Sequence, residues 1–425
     1  MPLPHPSGPL AGYRVVDFAD EKGQLCARVL GELGADVVKV EPREGDPART
    51  KGPYYKHEEN PELSLWWWTL NAGKRAVTCE LRLEAGRELA RKLVTQADIL
   101  VETWAPGQAP EGFDYRSLER LNPGLIHVSI TNFGQTGPYK DWAATDIVGS
   151  AMGGHMHLNG DPEHGPVRTT APQAVAQVNF QAAVGAMVAL YARGVNDGAG
   201  QHVDVSMQEA ITNAMDHAQA TWDIRHVNGW GPGIYRSTSS QPGAKEHQVG
   251  AQYLFETADG WLTALQSGGL IGPTANTVID WLAETAEAQD IDTREWREKL
   301  TSLAPPPVPE DRAHVEKVLQ DFLRKRPKVA LVEEAQRRNL GWAPVFSPCD
   351  IVESRHLAER DYWVRVQHED LGESFLYPGA PWKLSETPWM QRGRAPHLGE
   401  HNAEIYGELG VSDAELRRLK LRMVL

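Results

Sequence analysis

The chain reads as an α/β protein built around a mostly parallel, doubly wound sheet. Three observations predict this. Short β-rich runs alternate with stretches of helical spacing, a glycine falls where the first helix should stop, and 425 residues exceed one ordinary domain.

The alternation begins at once. Residues 14–18 (RVVDF) form a β-rich run. Residues 22–34 carry Leu25, Val29, Leu30 and Leu33 at helical spacing, Gly34 suits the helix end, and residues 36–40 (DVVKV) give the next strand, so a βαβ unit opens the chain. Further strands are expected at 76–81, 98–102, 125–130 and 201–206, with an amphipathic helix at 84–96 and an Ala-rich buried helix at 172–194. From Met207 to about Ile224 the pattern is again helical. Composition then shifts: residues 228–248 are rich in Gly, Ser and Pro, as a linker would be, and 250–265 read as a hairpin turning at Asp259-Gly260. The prolines of 304–309 break the chain before a helical part around 311–338. These shifts place a large domain at 1–224 and 376–425 and a small domain at 225–375.

Bulk properties exclude several classes. The hydrophobic share of 41% and charged share of 24% are those of a soluble globular chain. No apolar run reaches the roughly 18 residues of a membrane span, and the start, MPLPHPSGPLAGYR, lacks the basic and apolar pattern of a signal peptide. Cys26, Cys79 and Cys349 are scattered and read as free thiols of a reducing compartment. A cytoplasmic protein with no membrane partner is expected. The net charge of −14 argues against a nucleic-acid surface, though not against a small phosphate-bearing ligand, for which a few local cations suffice.

The usual catalytic signatures are missing. His155 and His157 lack a third ligand at useful spacing and read as loop histidines, so no metal is expected. There is no GxSxG elbow, no Walker loop and no GxGxxG after the first strand, which excludes a simple NAD-dependent dehydrogenase. What stands out is a set of cations where strands begin or end: Arg43 and Arg49, Lys74 and Arg75, and Lys140 beside Tyr139. Ligands of open α/β sheets sit at the strand carboxyl ends, where Lys and Arg suit phosphates; the competing reading is solvated surface charge.

Here the sequence resembles the family III CoA-transferases (CaiB/BaiF), the group holding formyl-CoA transferase, carnitine CoA-transferase and α-methylacyl-CoA racemase. The likeness runs through the block 9–18, the LGADVVKVEP of 33–42 with Gly45-Asp46 and Arg49, and Asn71 with Lys74-Arg75. It continues through Pro106-Gly107, Asn122-Pro123, the FGQTGP of 133–138, Gly198 with 200–207 (GQHVDVSM), and 395–401 (APHLGEH). It implies a Rossmann-like large domain, made from the N-terminal half and completed by the C-terminal segment, with a smaller α+β domain between and an interlocked dimer. It also implies CoA or acyl-CoA as substrate, no permanently bound cofactor, and a carboxylic acid as second substrate. Carried over by motif, the CoA segments are Ala19-Asp20, Arg43, Asn71, Lys74-Arg75, Thr103-Trp104 and Tyr139-Lys140. At 103 the family usually has Asn.

The chain departs from the family at the reacting centre. Family transferases attack the thioester with an Asp that precedes, by a fixed spacing, the Arg matching Arg193; counting back reaches Val175, and no acidic residue lies between Glu163 and Asp197. Racemases pair that Asp with a His before a second acidic position, which here is Asp146 preceded by Thr145. Asp146 is therefore the candidate catalytic carboxylate, as a relocated acid, base or nucleophile; its other reading is a helix cap. Gly268-Gly269 resembles the family's active-site glycine loop or is an ordinary turn, and Trp66-Trp67-Trp68 walls an acyl pocket or packs a core. Three functions stay open: a CoA-transferase with substituted chemistry, a non-catalytic subunit paired with an active paralogue (homodimer or heteromer), and a lyase, isomerase or racemase reaction on the same scaffold.

Overall fold

The structure, a computed structural model, describes residues 8–161, 164–229, 231, 233–237, 249–264, 271–301 and 308–425. The Gly268-Gly269 loop and prolines 305–307 lie outside the described residues.

A six-stranded, all-parallel sheet organises the first half. Its strands are β1 (Arg14–Asp17), β2 (Asp36–Glu41), β3 (Arg75–Thr78), β4 (Ile99–Glu102), β5 (Ile126–Thr131) and β6 (Gln201–Ser206). They lie in the order β3-β2-β1-β4-β5-β6, the Rossmann arrangement, with the reversal between β1 and β4. Val15, Val16, Val38, Val77, Ile99, Leu100, Val101, Ile126 and Val128 are almost wholly buried, which is why these strands read as near-continuous apolar runs. The helices are α1 (Gln24–Glu32), α2 (Leu65–Asn71), α3 (Glu84–Thr95), α4 (Tyr115–Leu121), α5 (Asp146–Met152), α6 (Gln173–Val195), α7 (Met207–Asn213) and α8 (Asp216–Arg225). Gly34 ends the first helical stretch at φ +116°, and a Cβ there would press on the backbone of Gly8 and Ala11. The helical run after Met207 is two helices, because Ala214 and Met215 donate back to Ile211 and Thr212 and tighten a turn.

Contacts divide the chain into two compact units. The larger draws on Met1–His155, Thr169–Asp216 and Ala358–Leu425, the smaller on Met156–Arg168 and His217–Leu357. The smaller holds an antiparallel sheet of β7 (Leu254–Thr257), β8 (Gly260–Ala264) and β9 (Trp342–Val345), beside α9 (Ala275–Glu284), α10 (Arg294–Thr301), α11 (Pro309–Leu323) and α12 (Lys328–Arg337). Its core gathers Phe255, Leu262, Trp281, Leu319, Phe322 and Trp342. Pro327 separates α11 from α12, as a proline in a helix interior would.

The C-terminal segment completes the larger unit. The hairpin of β10 (Trp363–His368) and β11 (Glu373–Pro378) sets Val366 and Tyr377 on Ala72, so residue 375 lies inside a strand of this unit. Beyond it α13 (Asn402–Glu408) and α14 (Asp413–Leu421) bring Ile405, Tyr406, Leu416 and Leu419 into one core with Val38, Val77, Leu89 and Leu93. Of the tryptophan triplet, Trp67 and Trp68 are buried: Trp67 donates to Pro396 O at 3.1 Å, and Trp68 packs on His368 and Phe375.

One described helix, α6, is long and apolar enough by length and composition to cross a bilayer. Gln173, Gln177, Asn179 and Gln181 interrupt its apolar run, so the sequence alone does not single it out. Its Ala174, Val178, Ala182, Ala183, Ala186 and Ala189 are packed in the core of the larger unit, whereas Phe180, Val184, Val188, Tyr191 and Val195 are exposed. It is therefore buried along one face only.

Candidate functional site

The crevice at the carboxyl ends of β1 to β4 is where this topology places a ligand. A cavity of about 650 Å³ opens there in the larger unit. Phe18, Val40, Leu81, Trp104 and Pro110 give it apolar walls, and Glu41, Glu44, Glu80, Arg82, Arg87 and Glu111 give it charge. Phe18 and Trp104 lie with ring centroids 5.5 Å apart, and Phe113 meets both edge-on. The β3 strand stops at Thr78, short of the expected 81, so that Cys79, Glu80 and Leu81 turn into the cavity lining. Gly86 permits that turn: a Cβ there would come within 2.0 Å of Glu80 O.

Beneath the cavity the strand ends are held by buried ionic groups. Asp17 accepts from Lys74 Nζ at 2.8 Å, and the same ammonium donates to Gln24 O at 2.7 Å and Asn71 Oδ1 at 2.8 Å. Burial lowers the Lys74 ammonium more than Asp17 raises it, leaving it at about 8. Asn71 is wholly buried and donates to Gln24 Oε1. Glu41 takes Arg49 bidentately at 2.7 and 2.8 Å, and Lys39 pairs with Asp46 at 3.1 Å.

The expected ligand residues thus divide. Ala19 is buried and its carbonyl accepts from Lys39. Asp20 N–H donates to Thr103 Oγ1 at 2.9 Å, so the threonine standing where the family has Asn ties the β1 and β4 loops together. Lys74 and Arg75 are committed to carboxylates, Arg75 to Asp36, Glu404 and Glu408. Arg43 is on the surface, paired with Glu44 of the lining. Trp104 lines the cavity. Tyr139 and Lys140 sit on the loop after β5, where the Tyr139 ring lies tilted against Trp142 with centroids 4.2 Å apart, and neither is among the lining residues. Phe18 and Arg82 were not singled out by sequence. Phe18 lay inside a run read as strand, and Arg82 stood between strand and helix with no motif around it.

Burial pushes the Cys79 thiol up to about 12, so it stays protonated near neutral pH. Glu80 is held ionised, its carboxyl lowered first by hydrogen bonding to Arg82. Beside the loop that follows β1, α6 begins with Val175 in its first turn. Asp146 opens α5 and reaches across: its Oδ1 accepts from Val175 N–H at 3.1 Å, while its Oδ2 is buried with no hydrogen-bond partner. Asp146 therefore caps α6 rather than its own helix. Asn179, one turn on, accepts from Cys26 N–H at 2.7 Å and donates to Lys22 O and Val175 O. This joins the loop before α1 to the first turn of α6. Among the described residues no group of three His, Cys, Asp or Glu is placed to hold a metal ion.

Comparison with known proteins follows the same outline. Residues 10–402 match CoA-transferase family III. The chain is 33% identical to the succinyl-CoA:(R)-benzylsuccinate CoA-transferase subunit BbsE of Thauera aromatica, over 97% of this chain and 96% of that one. It is 31% identical to the formyl-CoA:oxalate CoA-transferase of Streptomyces avermitilis, over 97% and 98%. The crystal structure of a CaiB/BaiF family protein from Brucella suis superposes with a TM-score of 0.80 at 26% identity, covering 95% of this chain and all of the other.

Proposed function

This chain belongs to CoA-transferase family III, and on that premise we propose that it moves CoA between an acyl-CoA and a carboxylic acid as one subunit of a heteromer, its paralogous partner supplying the nucleophilic carboxylate. The observation that carries this reading is the first turn of α6. Val175 stands at the family's nucleophile position, and residues 164–196 contain no carboxylate to acylate. A hydrocarbon side chain cannot form the anhydride that releases CoA from its thioester. The relative named as a subunit supports the heteromer, and the likeness across the chain supports a retained CoA site in cytoplasmic surroundings.

In this reading the cavity takes the nucleotide end of CoA. The base lies against Phe18 and Trp104, with Ala19, Asp20 and Thr103 forming the loops beneath. Arg43 and Arg82 meet the phosphates, while Asn71, Lys74 and Arg75 hold the strand ends in place, and Tyr139 and Lys140 border the path toward α6. CoA is a substrate, not a resident cofactor, and the assembly is an intertwined dimer.

CoA exchange between an acyl-CoA and free acids, assayed with and without an Asp-bearing paralogue, tests the proposal. Activity is expected only with the partner. Robust exchange by this chain alone overturns it. A second reading rests on Asp146, whose Oδ2 is buried without a partner beside Val175: here Asp146 is the relocated nucleophile. Hydroxylamine trapping after acyl-CoA exposure then places a hydroxamate at Asp146, and Asp146→Asn abolishes exchange by the chain alone.

A further inference from the structure

The strands that meet the cavity end on a repeated device. Asp17, Glu41 and Glu102 close β1, β2 and β4, are at most 3% exposed, and each accepts the backbone N–H of the loop that follows. Ala19 N–H donates to Asp17 Oδ1 at 2.9 Å, Asp46 N–H to Glu41 Oε2 at 3.0 Å, and Trp104 N–H to Glu102 Oε2 at 2.6 Å. Just beyond β3, Glu80 accepts Arg82 N–H at 2.9 Å. Three of the four carboxylates also hold a lysine or arginine: Lys74 on Asp17, Arg49 on Glu41, Arg82 on Glu80. Glu102 has none. Its second oxygen faces His127 Nε2 at 3.4 Å, and neither ring nitrogen of the buried His127 makes a hydrogen bond. The His127 ring is hemmed in by Tyr115 and His202, at centroid distances of 6.0 and 5.3 Å.

We propose that Glu102 is a positioning residue for ligand binding: its carboxylate fixes the Trp104 backbone, and so the aromatic wall that receives the base. A buried carboxylate without a lysine or arginine is costly to keep, and here the N–H it accepts belongs to the residue that forms the wall. The strand ends of β1 and β2 use their carboxylates to lock loops against cations. The β4 end uses its carboxylate to aim a ring.

This inference rests on the reading that the cavity takes the nucleotide end of CoA, and the test separates the two. Binding of 3′,5′-ADP and of an S-acyl-pantetheine, which lacks the nucleotide, is measured by calorimetry on the full chain. Glu102→Leu, matched in bulk but unable to accept, is expected to weaken 3′,5′-ADP by roughly tenfold or more, as for loss of a charge-assisted hydrogen bond, and to leave the pantetheine thioester unchanged. Glu102→Gln, whose amide oxygen still accepts Trp104 N–H, is expected to restore nucleotide affinity. If Glu102→Leu does not fold, Glu102→Asp, one methylene too short to reach, carries the same expectation. Unchanged 3′,5′-ADP binding in the Leu or Asp variant, or equal loss of both ligands, overturns the inference. Failure of the unsubstituted chain to bind 3′,5′-ADP overturns the reading beneath it as well.

Discussion

Two regions of the larger unit treat buried acids in opposite ways. Below the ends of β1 and β2, Asp17, Glu41 and Asp46 are each closed by a cation, Lys74, Arg49 and Lys39 respectively. At the first turn of α6, Asp146 keeps one oxygen on Val175 N–H and leaves the other without a partner, and one turn along α5 the buried Ser150 Oγ also has none. Saturated ions of the first kind hold shape and have little left to give a substrate. Unspent hydrogen-bonding capacity of the second kind marks where a ligand or another chain completes the structure. The ionic groups at the ends of β1 and β2 are thus closed within this chain, and those at the first turn of α6 are not.

The comparison breaks most easily at the Asp17–Lys74 pair, where the largest effect is expected. Both side chains are at most 1% exposed, so Lys74→Ala strands a buried carboxylate and should cost about 3–5 kcal/mol. Replacing both residues with apolar ones of similar size should recover most of that loss. Asp146→Ala removes a helix cap and should cost only about 1 kcal/mol. Urea denaturation of the three variants measures the contrast. Equal losses for Lys74→Ala and Asp146→Ala would erase the distinction between the regions.

That distinction was only half visible in the sequence. The central strands were legible because strands buried on both faces carry apolar runs: residues 14–18 and 36–40 match β1 and β2 to within a residue, and 201–206 matches β6 although that edge strand is only partly buried. The lack of any acidic residue between Glu163 and Asp197 was equally legible, since it needs only the sequence. The environment of the cations was not. Lys74 meets Asp17, 57 residues away, and Arg75 meets Glu404 and Glu408, more than 300 away. Local sequence shows a charge but not the tertiary acid that occupies it. Likewise, the alanines of α6 suggested a buried helix, although its Phe180, Val184, Val188 and Tyr191 face outward.

A smaller effect sharpens the boundary between the two regions. Asn179 is fully buried and links Cys26 and Lys22, beside the end of β1, to Val175 on α6. Asn179→Ala leaves one N–H and two carbonyls less well satisfied and should cost about 1–3 kcal/mol. It should also raise hydrogen exchange at Cys26, whose amide loses its shorter hydrogen bond and keeps only Gly23 O at 3.1 Å. Protection at Cys26 that survives the substitution would mean that the regions are joined by packing alone.

The smallest effect belongs to the outer rim of the saturated region, where the C-terminal segment is stitched down. His397 Nδ1 lies 2.9 Å from Glu62 Oε2, and its Nε2 lies 3.3 Å from Asp370 Oδ2. Hydrogen bonding to Glu62 raises His397 above the ordinary imidazole value, and although burial raises Glu62, contacts with His397 and Arg49 together outweigh it and hold Glu62 below the ordinary carboxylate value. The two shifts act on opposite sides of neutrality. The histidine contributes stability that is complete below its unfolded value near 6.5 and fades as pH rises through its higher folded value. The glutamate contributes stability that is complete above its unfolded value near 4.3 and fades as pH falls through its lower folded value. The pair therefore stabilises most between those limits. Its side chains are about one-third exposed (34% and 31%), so solvent screening keeps the gain under about 1 kcal/mol. The urea midpoint of the unsubstituted chain minus that of His397→Asn, followed from acid to alkaline pH, should be largest near pH 6 and shrink on the alkaline side. A difference that stays flat or grows above neutrality would show that His397 holds the segment by shape rather than by charge. The saturated region would then end at Arg49, with no ionic rim.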